Sequence, residues 1–253
     1  MKPALALAAL VGLAPATLHA EDLVSGLSQD QIQITSSYAG TDIVVFGAIE
    51  SPDTGESAGQ RDVVVAVRGP DADFSVRRKV RIAGVWINRD AIILHGLPGF
   101  YYVATTRPLS KIASRETLDR YQLGVENQKP KSASTRSPRK AEPFRLAAIR
   151  SRIRAKLYGE APQGVEFLGY SLFRVHVPVA ASVPRGQYAV EVYLFRDGNV
   201  VSAQTTPLYV EQIGIERRLF HLAQDWPFTY GLATVLMAGL LGWGSSFLFR
   251  RTT

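Results

Sequence analysis

The 253-residue sequence contains no cysteine. This absence excludes a disulfide framework, a thiolate nucleophile and a metal site with sulfur ligands from cysteine. Methionine is nearly absent as well, since only Met1 and Met237 occur, and both lie in apolar segments near the two ends of the chain. Without a methionine cluster, a copper(I) carrier that binds its metal through thioethers is also excluded.

Histidine is scarce, and the residues that would support catalysis are not grouped. His95, His176 and His221 lie in separate segments, without the short spacing that places two imidazoles on one element. The best candidate for a nucleophile elbow, Ser171, has Phe173 where that pattern requires glycine. No phosphate-binding glycine loop occurs. We therefore predict a protein that is not an enzyme and has no catalytic, metal-binding or cofactor-binding residues.

Charge is missing from the last apolar stretch of the chain. Residues 227–249 contain no charged side chain over 23 positions, which is enough to cross a bilayer with some tilt. Trp226 lies at one edge and Arg250 and Arg251 follow the other, as is typical of membrane boundaries. We predict a transmembrane helix at 227–249 and a cytoplasmic tail at 250–253.

The N-terminal apolar run is shorter. Residues 1–20 carry one charge, Lys2, and an apolar run from Ala4 to Ala14 that is too short to span a bilayer of roughly 30 Å. This pattern predicts a signal peptide cleaved after Ala20, with an uncleaved anchor as the alternative. The two ends together predict a single-pass protein of the bacterial inner membrane, with its bulk in the periplasm and its C-terminus in the cytoplasm.

The body between these ends is mainly of strand type. Residues 21–107 and 160–213 contain short β-branched or alternating runs separated by turn residues, which favours an Ig-like antiparallel sandwich. Between them, residues 108–159 predict an inserted helical pair, because each half begins with proline and ends with glycine. Within the insertion, residues 125–141 are poor in apolar side chains and predict a disordered basic linker. Two separate β domains are the alternative.

One strand pattern lacks the polar alternation of a surface strand. From Ile43 to Ile49 nearly every residue is apolar, which predicts that both faces of the strand are covered. One face would meet the opposing sheet, and the other an apolar stripe of the second inserted helix: Leu146, Ile149, Ile153 and Leu157. In the competing interpretation this second face is open and binds another protein.

Acidic residues are rare in one region. Between residues 127 and 156 ten lysines and arginines accompany a single glutamate, whereas the net charge of the whole chain is +7. Nucleic acid is not an expected partner outside the cytoplasm, so we predict contact with anionic lipid headgroups. A solvated helix face is the alternative. The predicted basic patch consists of Arg145, Arg150, Arg152, Arg154 and Lys156.

Small residues form a regular line in the predicted membrane helix. They recur every four positions, at Thr234, Ala238, Gly242 and Ser246. In lipid, such a line lets another helix pack closely, so we expect association with another membrane protein or with a second copy. Just before it, residues 214–226 predict a juxtamembrane amphipathic helix at the membrane surface, with packing against the body as the alternative.

Several separated segments point to a known family. They are SSYAGTDIVVFGAIE, GVWINRDAIILHGLPGFYYVATTRPLSKI, VPRGQYAVEVYLFRDGNVV and the GLATVLMAGLLGW anchor that ends in FRR. In this order they resemble the alphaproteobacterial putative transmembrane protein family (Alph_Pro_TM), least so across residues 125–141. The resemblance implies the same topology but no defined activity or catalytic residue. Because members are encoded near TauE/SafE-type (sulfite exporter-like) permeases, it also implies a transporter as partner.

These observations favour a non-catalytic accessory or assembly subunit of an inner-membrane complex, with a transporter as one candidate complex. A periplasmic module that binds a ligand or lipid is the first alternative, and it would require a cavity with convergent polar groups in the sandwich. An unrecognised envelope enzyme is the second alternative.

Overall fold

The structure, a computed structural model, describes residues 22–35, 40–50, 61–135, 137–212 and 223–249. The predicted signal peptide (1–20), most of the predicted juxtamembrane helix (214–226) and the tail at 250–253 lie outside the described residues. The strands, in chain order, are β1 (Asp22–Leu27), β2 (Gln31–Ile34), β3 (Thr41–Glu50), β4 (Arg61–Arg68), β5 (Asp71–Ile82), β6 (Val85–Pro98), β7 (Tyr101–Thr105), β8 (Ser132–Ala133), β9 (Tyr158–Pro162), β10 (Val165–Phe167), β11 (Leu172–Val179), β12 (Gly186–Arg196) and β13 (Asn199–Gln212).

Two sheets pack face to face. The four-stranded sheet has the order β1-β3-β11-β10 and is antiparallel throughout. The six-stranded sheet has the order β2-β13-β12-β4-β7-β9, with parallel pairing only at its two edges. Their facing sides share one hydrophobic core. Each sheet combines strands from both strand-rich segments, so the described residues form one sandwich, and the predicted mainly β fold class is confirmed.

Alternation of side chains explains how the sheets bury one face. In β11, Phe173, Val175 and Val177 are completely buried, whereas the residues between them are exposed. Successive side chains of a strand point to opposite faces, so a period of two produces one apolar face and one polar face.

The expected burial of both faces of Ile43–Ile49 is wrong. Strand β3 alternates like its neighbours: Val45 is buried in the core, but Phe46 on the opposite face is 39% exposed. The helix that was expected to cover this face packs against other strands, and its Ile153 is 48% exposed. Apolar side chains contribute much of any protein surface, so an unbroken apolar run does not require two covers. Among the described residues, nothing covers the outer face of β3.

Burial on both faces occurs instead at β4, where Asp62 to Val67 are all buried. Val63 and Val65 pair across the sheet with buried residues of β12 and face the four-stranded sheet. Asp62 and every second residue after it lie on the opposite face. Asp62 accepts hydrogen bonds there from Thr106 and Arg107, which immediately precede the insertion. A central strand between two layers is expected to be apolar throughout.

The described part of the insertion contains three helices. They are α1 (Leu109–Ile112), α2 (Arg115–Arg120) and α3 (Pro138–Arg154), with a 3-10 turn at Val125–Asn127. The hydroxyl of Ser114 accepts a 3.2 Å hydrogen bond from the backbone N–H of Thr117 and so caps α2. Ile112 of α1 and Leu118 of α2 are buried in the main core, and the carbonyls of Tyr121 and Gln122 just after α2 accept hydrogen bonds from Arg68 at the end of β4. Helix α3 packs on β5, β6 and β9.

The prediction of a disordered linker at 125–141 is wrong for the described part of that segment. It contains the 3-10 turn, strand β8 and the start of α3. The side-chain amide of Gln128, which is completely buried, donates to the carbonyls of Gln122 and Gly124 at 2.6 and 3.0 Å. Composition misses this order, because the segment is fixed by hydrogen bonds of polar side chains rather than by apolar burial.

Strands β5 and β6 form a long hairpin that projects from the sandwich. Its turn residues Ala83 and Gly84 have φ values of 50° and 85°, the positive values of a type I′ hairpin turn. The inner half of the hairpin packs against α3 in a second apolar cluster, which contains Ile92, Leu94 and Ala148.

The last element is α4 (Pro227–Phe249). By length and composition, Pro227–Ser245 could cross a membrane, and none of this stretch is buried against the rest of the described chain. The structure therefore contains one candidate transmembrane helix at the predicted position.

Candidate interaction surfaces

The predicted basic patch does not form one surface. The side chain of Arg145 is only 14% exposed. Its guanidinium donates to both carboxylate oxygens of Glu142 and to the backbone carbonyls of Glu126 and Gln128. Arg145 therefore ties α3 to the preceding segment, and the hydrogen bond lowers the pKa of Glu142.

Arg152, a second member of the predicted basic patch, is also held in a contact within the protein. The guanidinium carbon of Arg152 lies 3.9 Å from the ring centre of Phe74, a cation–π contact between α3 and β5. Burial lowers the pKa of Arg152. Only Arg150, Arg154 and Lys156 are exposed, so three of the five predicted residues are free to meet an anionic surface.

Sequence reasoning missed a partly buried ion pair at the end of β4. The Nε of Arg68 donates to a carboxylate oxygen of Glu191 at 2.9 Å, and Nη1 donates to the side-chain oxygen of Gln128 at 2.8 Å. Nη2 donates to the carbonyls of Tyr121 and Gln122 at 2.8 and 3.0 Å. The side chains of Arg68 and Glu191 are 18% and 20% exposed. This arginine therefore connects the six-stranded sheet to the insertion.

Tyrosines surround this ion pair. The guanidinium carbon of Arg68 lies 5.2 Å from the ring centre of Tyr101, and the hydroxyl of Tyr193 donates to Glu191 at 3.0 Å. Burial alone would lower the pKa of Arg68, but the charge of Glu191 opposes it and the net pKa is raised. The only sequence signal for this site was a charged residue closing the apolar run DVVVAVR.

A cleft of about 390 Å³ opens beside the ion pair. Each of its four basic residues is already paired with a carboxylate: Lys129 with Asp119, Lys131 with Asp71, Arg68 with Glu191, and Arg120 with Glu116. Because these cations are neutralised by neighbouring carboxylates, the cleft does not present an unpaired positive centre to an anionic ligand.

The tyrosines give the body an expected alkaline sensitivity. Burial raises the pKa values of Tyr101, Tyr158 and Tyr193 above their ordinary value of 10.0. Their contribution to stability is therefore complete below pH 10 and is lost as the pH rises toward the folded-state pKa values. We expect the free energy of unfolding, measured with urea, to fall steeply between about pH 10 and 12.

A matched pair of variants tests this cause. Above pH 10, Tyr158→Phe should reduce the slope of the free energy of unfolding against pH by about 1 kcal/mol per pH unit, because one fewer buried hydroxyl ionises on unfolding. Tyr170, which is fully exposed, supplies the control variant Tyr170→Phe, which should leave the slope unchanged. Equal slopes in the two variants would show that buried tyrosine is not the cause.

The histidines do not assemble. The Nδ1 of His95 lies 2.8 Å from a carboxylate oxygen of Asp73 at the base of the hairpin, and this hydrogen bond lowers the pKa of Asp73. His176 lies on the exposed side of β11, and His221 is outside the described residues. Among the residues that are described, no three acidic or histidine side chains are grouped to hold a metal ion.

The open face of the four-stranded sheet carries adjacent apolar side chains. Val24, Ala48 and Leu172 are aligned across β1, β3 and β11, and Phe46 follows on β3. Val24 is 53% exposed and Leu172 is 44% exposed. We name these four residues the outer sheet face. The loop before β11 adds the exposed side chains of Leu168 and Tyr170.

The predicted helix-packing face lies on α4. The hydroxyl of Thr234 donates within its own helix, to the carbonyls of Tyr230 and Gly231 at 2.9 and 2.8 Å. Ala238 and Gly242 are exposed, and a Cβ atom added at Gly242 would meet no described atom within 4 Å. The side chain of Ser246 is outside the described set. This face therefore has room for a second helix.

Comparison with known families agrees with these features. The family model described as "Putative transmembrane protein (Alph_Pro_TM)" matches residues 22–251. The chain belongs to this family. No curated protein matches it. The family match covers the sandwich, the insertion and α4, so it confirms the resemblance found in the sequence and describes a membrane-associated protein with one candidate transmembrane helix.

Proposed function

We propose that this protein is a non-catalytic accessory or assembly subunit of an inner-membrane complex, anchored by α4 with its bulk in the periplasm and its C-terminus in the cytoplasm. The observation that carries the proposal is the outer sheet face, an uncovered apolar surface on a body tethered to a membrane helix. Covering one large apolar side chain contributes about 1.5–3 kcal/mol. Because Phe46, Leu172 and Val24 are only 39–53% exposed, a partner that covers them would gain about half of such a contribution from each.

The anchor determines where the partner is found. A membrane helix confines the body to one bilayer surface and raises its effective concentration toward other proteins in that membrane. Close packing along Thr234, Ala238 and Gly242 would add a second contact inside the lipid. A multispan protein can supply both contacts, and a TauE/SafE-type permease, the partner that the family resemblance implies, is the first to test.

Co-purification from mild detergent tests the proposal. The full-length chain should retain a multispan membrane protein, and Phe46→Asp together with Leu172→Asp should release it, because charge on the outer sheet face cannot be buried against an apolar partner. Val201 is 42% exposed on β13, in the other sheet. Its variant Val201→Asp is the matched control and should retain the partner.

The anchor contact needs its own control. Gly242→Leu should weaken association, whereas Gly244→Leu, the same substitution about 160° away around the helix, should not. Recovery of the wild-type chain without any multispan protein would contradict the proposal. So would equal losses in Val201→Asp and Phe46→Asp. If only a second copy of this chain is recovered, the chain self-associates and the proposal of a multispan partner is wrong.

A further inference from the structure

The outer end of the hairpin, residues 77–90, is the most exposed apolar structure in the described part of the body. We name it the hairpin tip. Val85 and Trp86, just after the turn, are 64% and 65% exposed, and Ile82 and Ile87 are each 45% exposed. Helix α3 covers only the inner half of the hairpin. A two-stranded ribbon alone is marginal in water, so these side chains favour a further contact.

Strand register divides the hairpin tip into two different faces. Ile82 pairs with Val85, and Val80 pairs with Ile87. Directly paired residues lie on the same face of a ribbon, and alternate positions share it. These four aliphatic side chains therefore form one face. The opposite face carries the pairs Arg81–Trp86 and Lys79–Asn88.

The charge of the hairpin tip is almost entirely positive. Its only acidic residue is Asp90, and its basic residues are Arg77, Arg78, Lys79, Arg81 and Arg89. All five basic side chains are exposed. Arg81 donates to the carbonyl of Gly84 at 3.3 Å, and the ion pairs of the described residues include none of the five.

We propose that the hairpin tip docks on the anionic headgroup layer of the bilayer in which α4 is anchored. Basic residues are attracted to such a surface, and tryptophan is enriched at the level of the headgroups. With its turn directed at the bilayer, the ribbon would bring both faces, the aliphatic side chains and Trp86 with Arg81, to the level of the headgroups and the boundary of the acyl chains. The unpaired edges of the ribbon keep it from entering the hydrocarbon, where those backbone groups would have no partners.

Charge selects this occupant over a second copy of the chain. Two hairpin tips brought together would each carry five basic residues and would repel, whereas an anionic bilayer is complementary over its whole surface. The tether adds to this preference, because α4 holds the body near the same bilayer and turns docking into an intramolecular step.

Fluorescence of Trp86 tests the proposal on the full-length chain. Trp226→Phe and Trp243→Phe leave Trp86 as the only tryptophan. In nanodiscs that contain brominated anionic lipid, bromine near the headgroup should quench Trp86. Quenching should be much weaker in zwitterionic nanodiscs, and also in about 1 M salt, where the Debye length falls from roughly 10 to 3 Å. Absence of quenching in anionic nanodiscs would overturn the proposal and would assign the tip to a protein partner.

Charge-matched variants locate the contact. Replacing Arg78, Lys79 and Arg81 with glutamine should weaken docking about a hundredfold, since each basic residue near an anionic surface contributes roughly fivefold. The control replaces three exposed basic residues of α3 in the same way: Arg150, Arg154 and Lys156. It should retain quenching. Release of Trp86 by the α3 control but not by the tip variant would place the lipid contact on the helix instead and would overturn the proposal.

Discussion

Replacing Arg68 with methionine should lower the free energy of unfolding by about 3 kcal/mol, the lower end of the range for breaking a buried ion pair, because this pair is only partly buried. The reason is the environment of its partner. The side chain of Glu191 is only 20% exposed and would lose the guanidinium that neutralises it. Gln128 and two backbone carbonyls would lose their donors at the same time, and buried polar groups without partners are costly.

Urea unfolding of the full-length chain in detergent would measure this effect, and the structure offers a matched control. Arg174 pairs with Glu166 at the same 2.9 Å distance, but those side chains are 44% and 55% exposed. Arg174→Met should therefore cost less than about 1 kcal/mol. The double variant Arg68→Met with Glu191→Leu should recover part of the loss. A cost for Arg68→Met no greater than that for Arg174→Met would contradict a structural role for the pair.

The second large effect concerns the anchor. A chain that ends at Trp226 should move from the membrane pellet to the supernatant after ultracentrifugation. The stretch Pro227–Ser245 makes no buried contact with the described body, so its removal should leave the sandwich folded. Such an uncharged helix is long enough to remain in lipid, and without it no spanning segment is found in the described part of the chain.

Docking of the hairpin tip could hold the shortened chain on the membrane, so the pellet must be washed with about 1 M salt, which screens that attraction. The control is the full-length variant Gly244→Leu, which leaves the length and apolar character of α4 unchanged and should remain in the pellet. A shortened chain that resists the salt wash would show that α4 is not the anchor.

Strand alternation and turn residues were sufficient to predict the sandwich. The period of two in LFRVHVPV gives β11 one buried face. Such signals are local, because side-chain direction along a strand depends only on position within it. The candidate transmembrane helix could be predicted in the same way, because a run of 23 uncharged residues is recognised from the sequence of that segment alone.

Apolar runs could not show which strand lies between two layers. TDIVVFGAIE and DVVVAVRG are similar in composition, but the first forms β3 with an open face and the second forms β4, buried on both sides. The difference depends on where the insertion folds back: Arg107 just before it and the carbonyl of Tyr121 after α2 form hydrogen bonds with the two ends of β4. That choice is made by contacts distant in sequence, which periodicity does not contain.

Clusters of basic residues in the sequence were an equally ambiguous guide to which side chains share a surface. Arg145 and Arg152 were grouped with Arg150 and Arg154 by sequence proximity, but the helix directs the first two into contacts with neighbouring segments. On a helix, residues two or five positions apart face different directions. Conversely, the basic residues of the hairpin tip are brought together at one end of a ribbon only because β5 and β6 are paired.

The sequence by itself determined the mainly β fold, the membrane-length C-terminal helix and the absence of any sulfur chemistry, because each follows from local pattern or composition. Only the tertiary structure decided that no described residue covers the outer face of β3, that Arg68 pairs with Glu191 at a partly buried site, and that the hairpin tip projects from the sandwich. These three features depend on contacts between segments that are distant in sequence. The free energy of such contacts depends on both segments and cannot be inferred from either one alone.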